Sequence, residues 1–114
     1  MSIRMEKART PAQQQYAMLK EQHKDALLMF RLGDFYELFY DDAKIAHKTL
    51  DIALTARDKT SEHPVPMAGI PHHSLDRYLK KLVLAGYKVA IADQIGEVIP
   101  GKVVERAVTR VVTP

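Results

Sequence analysis

Phe35 and Glu37 stand two positions apart in the stretch Gly33-Asp34-Phe35-Tyr36-Glu37-Leu38-Phe39-Tyr40-Asp41-Asp42. These ten residues hold two of the chain's three phenylalanines and two of its five tyrosines. In an extended chain, successive side chains alternate between faces. Phe35, Glu37 and Phe39 would then share one face, and Tyr36, Leu38 and Tyr40 the other. Burying a lone carboxylate between phenyl rings costs roughly 2–7 kcal/mol, and more if it is ionised. Such a face is therefore better presented outward, as an apolar wedge beside a hydrogen-bonding acid. In a helix the same residues read differently. Phe35, Leu38 and Phe39 fall at i, i+3 and i+4, an ordinary core stripe. Gly33-Asp34 is a turn signal and favours the extended form.

Catalytic chemistry has weak support elsewhere in the chain. His72-His73 is an adjacent pair, and successive residues do not face one metal in a helix or strand. Asp41-Asp42 suits a helix cap better than an acid–base pair. Asp51, Asp58 and Asp93 lack nuclease spacing, and Pro100-Gly101-Lys102 lacks the flanks of a phosphate-binding loop. The absence of cysteine removes disulfides and thiolate zinc sites. No enzyme activity, metal or cofactor is expected in this segment. The net charge of +3 permits contact with a polyanion, but Lys and Arg are dispersed and form no basic tail.

The elements that must position Phe35 and Glu37 follow from periodicity. A chain of 114 residues, 46% apolar and 27% charged, suits one domain with a real core. Residues 1–9 read as a disordered tail and 10–114 as the domain. Thr10-Pro11-Ala12-Gln13 has the form of a capping box, opening a helix to about His23 with Tyr16 and Leu19 inward. Residues 26–32 read as a buried strand. Asp41 or Asp42 is expected to cap a second helix to about Leu50, with Ala46, Thr49, Leu50 and Ala53 in helical spacing. Residues 52–57 read as a strand, and 65–71 as an edge strand or extended loop pinned by Pro66 and Pro71. Met67 and Ile70 there are either core plugs or an exposed ridge. Ser74 is expected to cap a third helix whose stripe is Leu75, Tyr78, Leu79, Leu82 and Val83, ended by Gly86. Strands follow at 87–94 and 103–113, the last with Arg106 and Arg110 on one face.

These elements predict an α/β fold, a mixed β-sheet with about three helices packed on it. The step from 26–32 to 35–39 is too short for a parallel crossover, so part of the sheet must be antiparallel. No apolar run nears the roughly 18 residues of a membrane span, and the N-terminus lacks a signal peptide's apolar core. A cytoplasmic protein with no membrane contact is expected.

Gly33 to Ala43 (GDFYELFYDDA), Pro66 to Pro71 (PMAGIP) and Val89 to Ile95 (VAIADQI) are similar to the N-terminal mismatch-recognition domain of the MutS family, the bacterial DNA mismatch sensors. So are the Thr-Pro…Gln-Gln-Tyr opening at 10–16, Val104-Glu105-Arg106 and Val111 to Pro114. The resemblance spans essentially the whole chain. It implies that Phe35 and Glu37 are the family's mismatch-binding Phe-x-Glu pair. It implies that Met67, Ala68, Gly69, Ile70 and Pro71 lie near the DNA backbone at the lesion, and that Arg106 lies near phosphates. The partner implied is double-stranded DNA with a mismatch or a small unpaired loop. The resemblance further implies that connector, lever, clamp and ATPase domains follow in the same chain. ATP and Mg2+ belong to those domains, and the full-length protein is a homodimer.

On this reading Phe35 wedges into the minor groove and Glu37 hydrogen-bonds the displaced base. DNA phosphates are expected to raise the Glu37 pKa, since like charge disfavours the ionised form. Two other classes stand beside it. One is a protein–protein interaction module that uses the aromatic 33–42 stretch, and the other is an enzyme acting on nucleic acid.

Overall fold

Thr10 and Gln13 close the capping box that their spacing predicts. The Gln13 N–H donates to Thr10 Oγ1 at 3.2 Å, and the Thr10 N–H donates to Gln13 Oε1 at 2.8 Å. Helix α1 runs Pro11–Gln22 and buries Tyr16 and Leu19. The computed structural model describes residues 10–57 and 62–114, so the tail expected at 1–9 and part of the polar loop after Arg57 lie outside the described residues.

Beyond α1 come β1 (Leu27–Leu32), β2 (Phe35–Phe39), α2 (Tyr40–Leu50), β3 (Thr55–Arg57), β4 (Val65–Pro71), a 3-10 turn (His72–Ser74), α3 (Leu75–Leu84), β5 (Val89–Ile95) and β6 (Glu105–Val112). The six strands form one sheet in the order β3-β4-β2-β1-β5-β6. Among the described residues only β1 and β5 pair in parallel, and every other neighbouring pair is antiparallel. Over these residues the fold is the expected α/β domain with a mixed sheet and three helices. Helices α2 and α3 cover one face, where Ala43, Ala46, Leu50, Leu79 and Leu82 pack on Met29, Leu38, Ile70 and Ile91. Helix α1 covers part of the other face, where Tyr16 and Leu19 pack on Leu28, Phe30 and Phe39.

Several local expectations are corrected. Neither Asp41 nor Asp42 caps α2. Its N-cap is Phe39, with no side-chain cap bond. Asp42 is instead buried, accepting the Leu28 N–H at 3.1 Å and pairing with Lys20 Nζ at 2.9 Å. It thereby ties α2 to β1 and α1. Helix α2 stops at Asp51, which adopts the left-handed conformation, so Ala53 lies beyond it. Ser74 does stand at the N-cap of α3, as expected, but makes no side-chain cap bond. The strand expected at 52–57 forms only over Thr55–Arg57. That shortness decides the place of β4. Its first three residues pair with β3, so it is not the edge strand expected at 65–71, while among the described residues Ala68 to Pro71 pair with β2 alone.

Arg106 and Arg110 do not share a face. Arg106 pairs with Gln94 and Val108 with Ala92, but Arg110 pairs with Ile91. The extra residue, Thr109, is a β-bulge that reverses the alternation. Arg110 therefore meets Asp76 of α3 at 4.0 Å, while Arg106 lies over the Phe30 ring, 4.9 Å away on the α1 side.

Candidate nucleic-acid interface

Phe35 is the first residue of β2, directly after a two-residue hairpin turn. Leu32 pairs with Phe35 across that turn, and Gly33 takes a φ of +57°. A two-residue hairpin with glycine at its first central position has the twist that the flanking strands need. The turn is braced on both sides. Arg31 Nε donates to Gly33 O at 2.6 Å, and the His72 N–H donates to Asp34 O at 2.8 Å.

Register then sets the faces. Phe35 pairs with Pro71, Glu37 with Gly69 and Phe39 with Met67, so these six residues share one side of the sheet. As expected, Phe35, Glu37 and Phe39 lie together, with Tyr36 and Leu38 on the far side. Tyr40 departs from that alternation, because it begins α2 with a φ of +55°. Exposure grades along the row. Phe35 is 43% exposed, Glu37 is half-buried, and Phe39 is 2% exposed beneath Tyr16. Helix α1 covers the Phe39 end and leaves the Phe35 end bare.

The Phe35 end of β2 is held from behind. Tyr36 donates its hydroxyl to Asp93 Oδ1, Thr109 donates to Asp93 Oδ2 at 3.1 Å, and Arg31 lies 4.0 Å from Asp93. Burial, with the Asp93 carboxylate beside it, pushes the Tyr36 hydroxyl up to about 12. It therefore remains a donor at neutral pH, and the link from β2 to β5 and β6 stays closed.

Burial also raises the Glu37 pKa, and the charge of Arg57 pulls it back in part. In the free protein the upward push thus comes from desolvation and not from phosphates. Arg57 is a residue that sequence reasoning gave no role. Its guanidinium lies 4.6 Å above the Phe39 ring, and among the described residues its buried Nε has no hydrogen-bond partner. Nothing in the local sequence marks it, since its position depends on β3 pairing with β4.

The remaining sequence-derived residues divide. Met67, Gly69 and Pro71 stand on the Phe35 side, Met67 partly exposed beside Phe39. Ala68 and Ile70 are 1% exposed on the opposite side, inside the α2–α3 core. The core-plug alternative therefore holds for Ile70. Arg106 is on the same side of the sheet as Glu37, but much of its guanidinium is engaged internally. Nε donates to Arg31 O at 2.6 Å, and Nη1 donates to Val104 O at 3.2 Å and to Gln15 Oε1 at 3.3 Å. A groove of about 750 Å3 between α1 and the β3–β4 side, lined by Tyr16, Phe39, Arg57 and Val65, includes neither Phe35 nor Glu37.

A braced strand end carrying an exposed aromatic ring beside a partly desolvated acid has the form of a recognition surface. The family model for MutS domain I matches residues 10–114, and the chain belongs to that family. It is a DNA-binding domain of mismatch recognition in DNA repair and not a catalytic one. Among the described residues, no helix is long and apolar enough to cross a membrane.

Proposed function

We propose that this domain recognises a mismatch or a small unpaired loop by deforming the duplex, with Phe35 as the wedge and Glu37 as the hydrogen-bonding group. The observation that carries the reading is the exposure of Phe35. It is 43% exposed at the end of a row whose other aromatic, Phe39, is sealed. The ring stands beside Pro71 at a strand end braced by Arg31 and His72, where its apolar face is open to a partner. Apolar wedges push between base steps from the minor groove, and unstacking costs a few kcal/mol, least where pairing is already broken. Deformability then selects the site, so one ring serves many mismatches.

Glu37 supplies the polar half. As an anion it repels intact duplex; protonated, it donates to a ring nitrogen of the displaced base. Burial has already raised its pKa in the free protein, and DNA phosphates raise it further. Met67, Gly69 and Pro71 offer the adjoining strand surface to the DNA backbone. Ala68 and Ile70 face the core, so only their backbone could take part in such a contact. In the full chain, a homodimer, ATP and Mg2+ belong to the other domains, and the protein works in the cytoplasm.

The test is a titration of matched duplex against single-mismatch duplex by the full chain at several salt concentrations. Affinity should fall with rising salt, and mismatched DNA should be preferred at every salt. Salt-insensitive or absent DNA binding, with capture of a protein by the 33–42 stretch, would establish the protein-interaction alternative instead.

A further inference from the structure

Gly69 differs from every other glycine described. Gly33, Gly86, Gly96 and Gly101 have positive φ and open space where a Cβ would stand. Gly69 has neither. Its backbone is ordinary strand, which any residue adopts, and its Cβ position is occupied. A Cβ there would lie 2.7 Å from Cδ and 2.9 Å from Oε2 of Glu37, closer than non-bonded carbon and oxygen approach. The Glu37 carboxyl has folded across its paired strand and rests on bare backbone. On the other side Glu37 pairs with Phe30, whose ring closes that direction.

We infer that Gly69 is a positioning residue for mismatch discrimination: its missing side chain is the seat that holds the Glu37 carboxyl low on the sheet beside Phe35. This rests on the role of Glu37 proposed above. A carboxyl seated on β4 has one fixed place beside Phe35, from which it repels an intact duplex and meets a displaced base. The seat also partly desolvates the acid, and among the described residues Arg57 is the charged group that acts on it there. Alanine at 69 fills the seat and forces the carboxyl out into water.

The experiment is a double-mutant cycle in the full chain with Gly69→Ala, Glu37→Ala and the pair, read by melting temperature and by matched and mismatched titrations. Gly69→Ala should shift the melting temperature differently with Glu37 present and beside Glu37→Ala, because only in the first must a carboxyl be displaced. Glu37→Asp, one methylene shorter, should reduce that difference. In binding, Gly69→Ala should narrow discrimination by up to about tenfold, the worth of one hydrogen bond, and add nothing to Glu37→Ala. The pH midpoint of mismatch affinity should move down in Gly69→Ala, because the acid is returned to water. If Gly69→Ala fails to fold, the pair with Glu37→Ala must fold. An equal melting shift in both backgrounds overturns the seat, as does a Gly69→Ala protein unchanged in discrimination and in its pH midpoint. A stability coupling between 69 and 37 without any mismatch preference in the parent upholds the seat and removes the proposed function.

Discussion

Arg106→Ala separates an internal strut from a phosphate contact. The side chain donates to Arg31 O at 2.6 Å and to Val104 O at 3.2 Å, and its guanidinium lies 4.9 Å from the Phe30 ring centre. Truncation leaves carbonyls that had charged donors without them, at about 1–3 kcal/mol for the shorter bond. It also removes a cation–π contact worth about 0.5–1 kcal/mol. The expected loss is on the order of 2–4 kcal/mol, a fall in melting temperature of about 10 °C or more for a domain of this size. Arg106→Lys should lose most of the same stability, since a point ammonium cannot replace a fork that bonds Arg31 of β1, Val104 and Gln15 of α1 together. The assay is thermal or urea unfolding of both variants, followed by duplex titration against salt. An Arg106→Ala protein that melts like the parent, but whose salt slope falls by about one unit, would refute the strut and make Arg106 a phosphate ligand.

Asp42→Ala should cost about 2–3 kcal/mol, because it strands the buried Leu28 N–H and unpairs Lys20; Asp42→Asn should recover part of this in urea melts. Glu37→Gln should tighten matched-duplex binding by removing an anion from the contact face while leaving mismatch affinity little changed, and equal matched affinity would dismiss the repulsion. The same variant tests linkage. The folded pKa of Glu37 is raised by burial, so the unfolded chain gives up its proton first. The contribution of Glu37 to stability, read as the difference between the parent and Glu37→Gln, should therefore fall as pH rises from roughly 4, the ordinary glutamate value, through the folded pKa, and level off above it.

The parts of the fold set by neighbours in sequence were legible in it. The capping box at Thr10–Gln13, the turn at Gly33-Asp34 and the period-2 alternation of 35–39 are local, and each forms as its residues dictate. What escaped depends on distant chain. Asp42 reads as a cap until Leu28 and Lys20 arrive beside it. Thr109 looks like any strand residue, yet its bulge sends Arg106 and Arg110 to opposite faces. Glu37 beside two phenylalanines marked an outward face, but the sealing of Phe39 needed Tyr16 from α1. The closeness of Glu37 to Gly69 comes from strand register, which the one-letter string does not carry.

The central claim, that Phe35 is a wedge and not a core ring, is tested most directly by Phe35→Ala in the full chain, with melting and duplex titration on the same protein. Phe35 is 43% exposed and Phe39 2%. Phe39→Ala is the internal standard and should lose the roughly 3–5 kcal/mol of a core phenylalanine. Phe35→Ala should lose well under half of that, bind matched duplex about as the parent does, and bind mismatched duplex no better than matched. A Phe35→Ala protein destabilised as much as Phe39→Ala, or one that keeps its preference for the mismatch, would contradict the account.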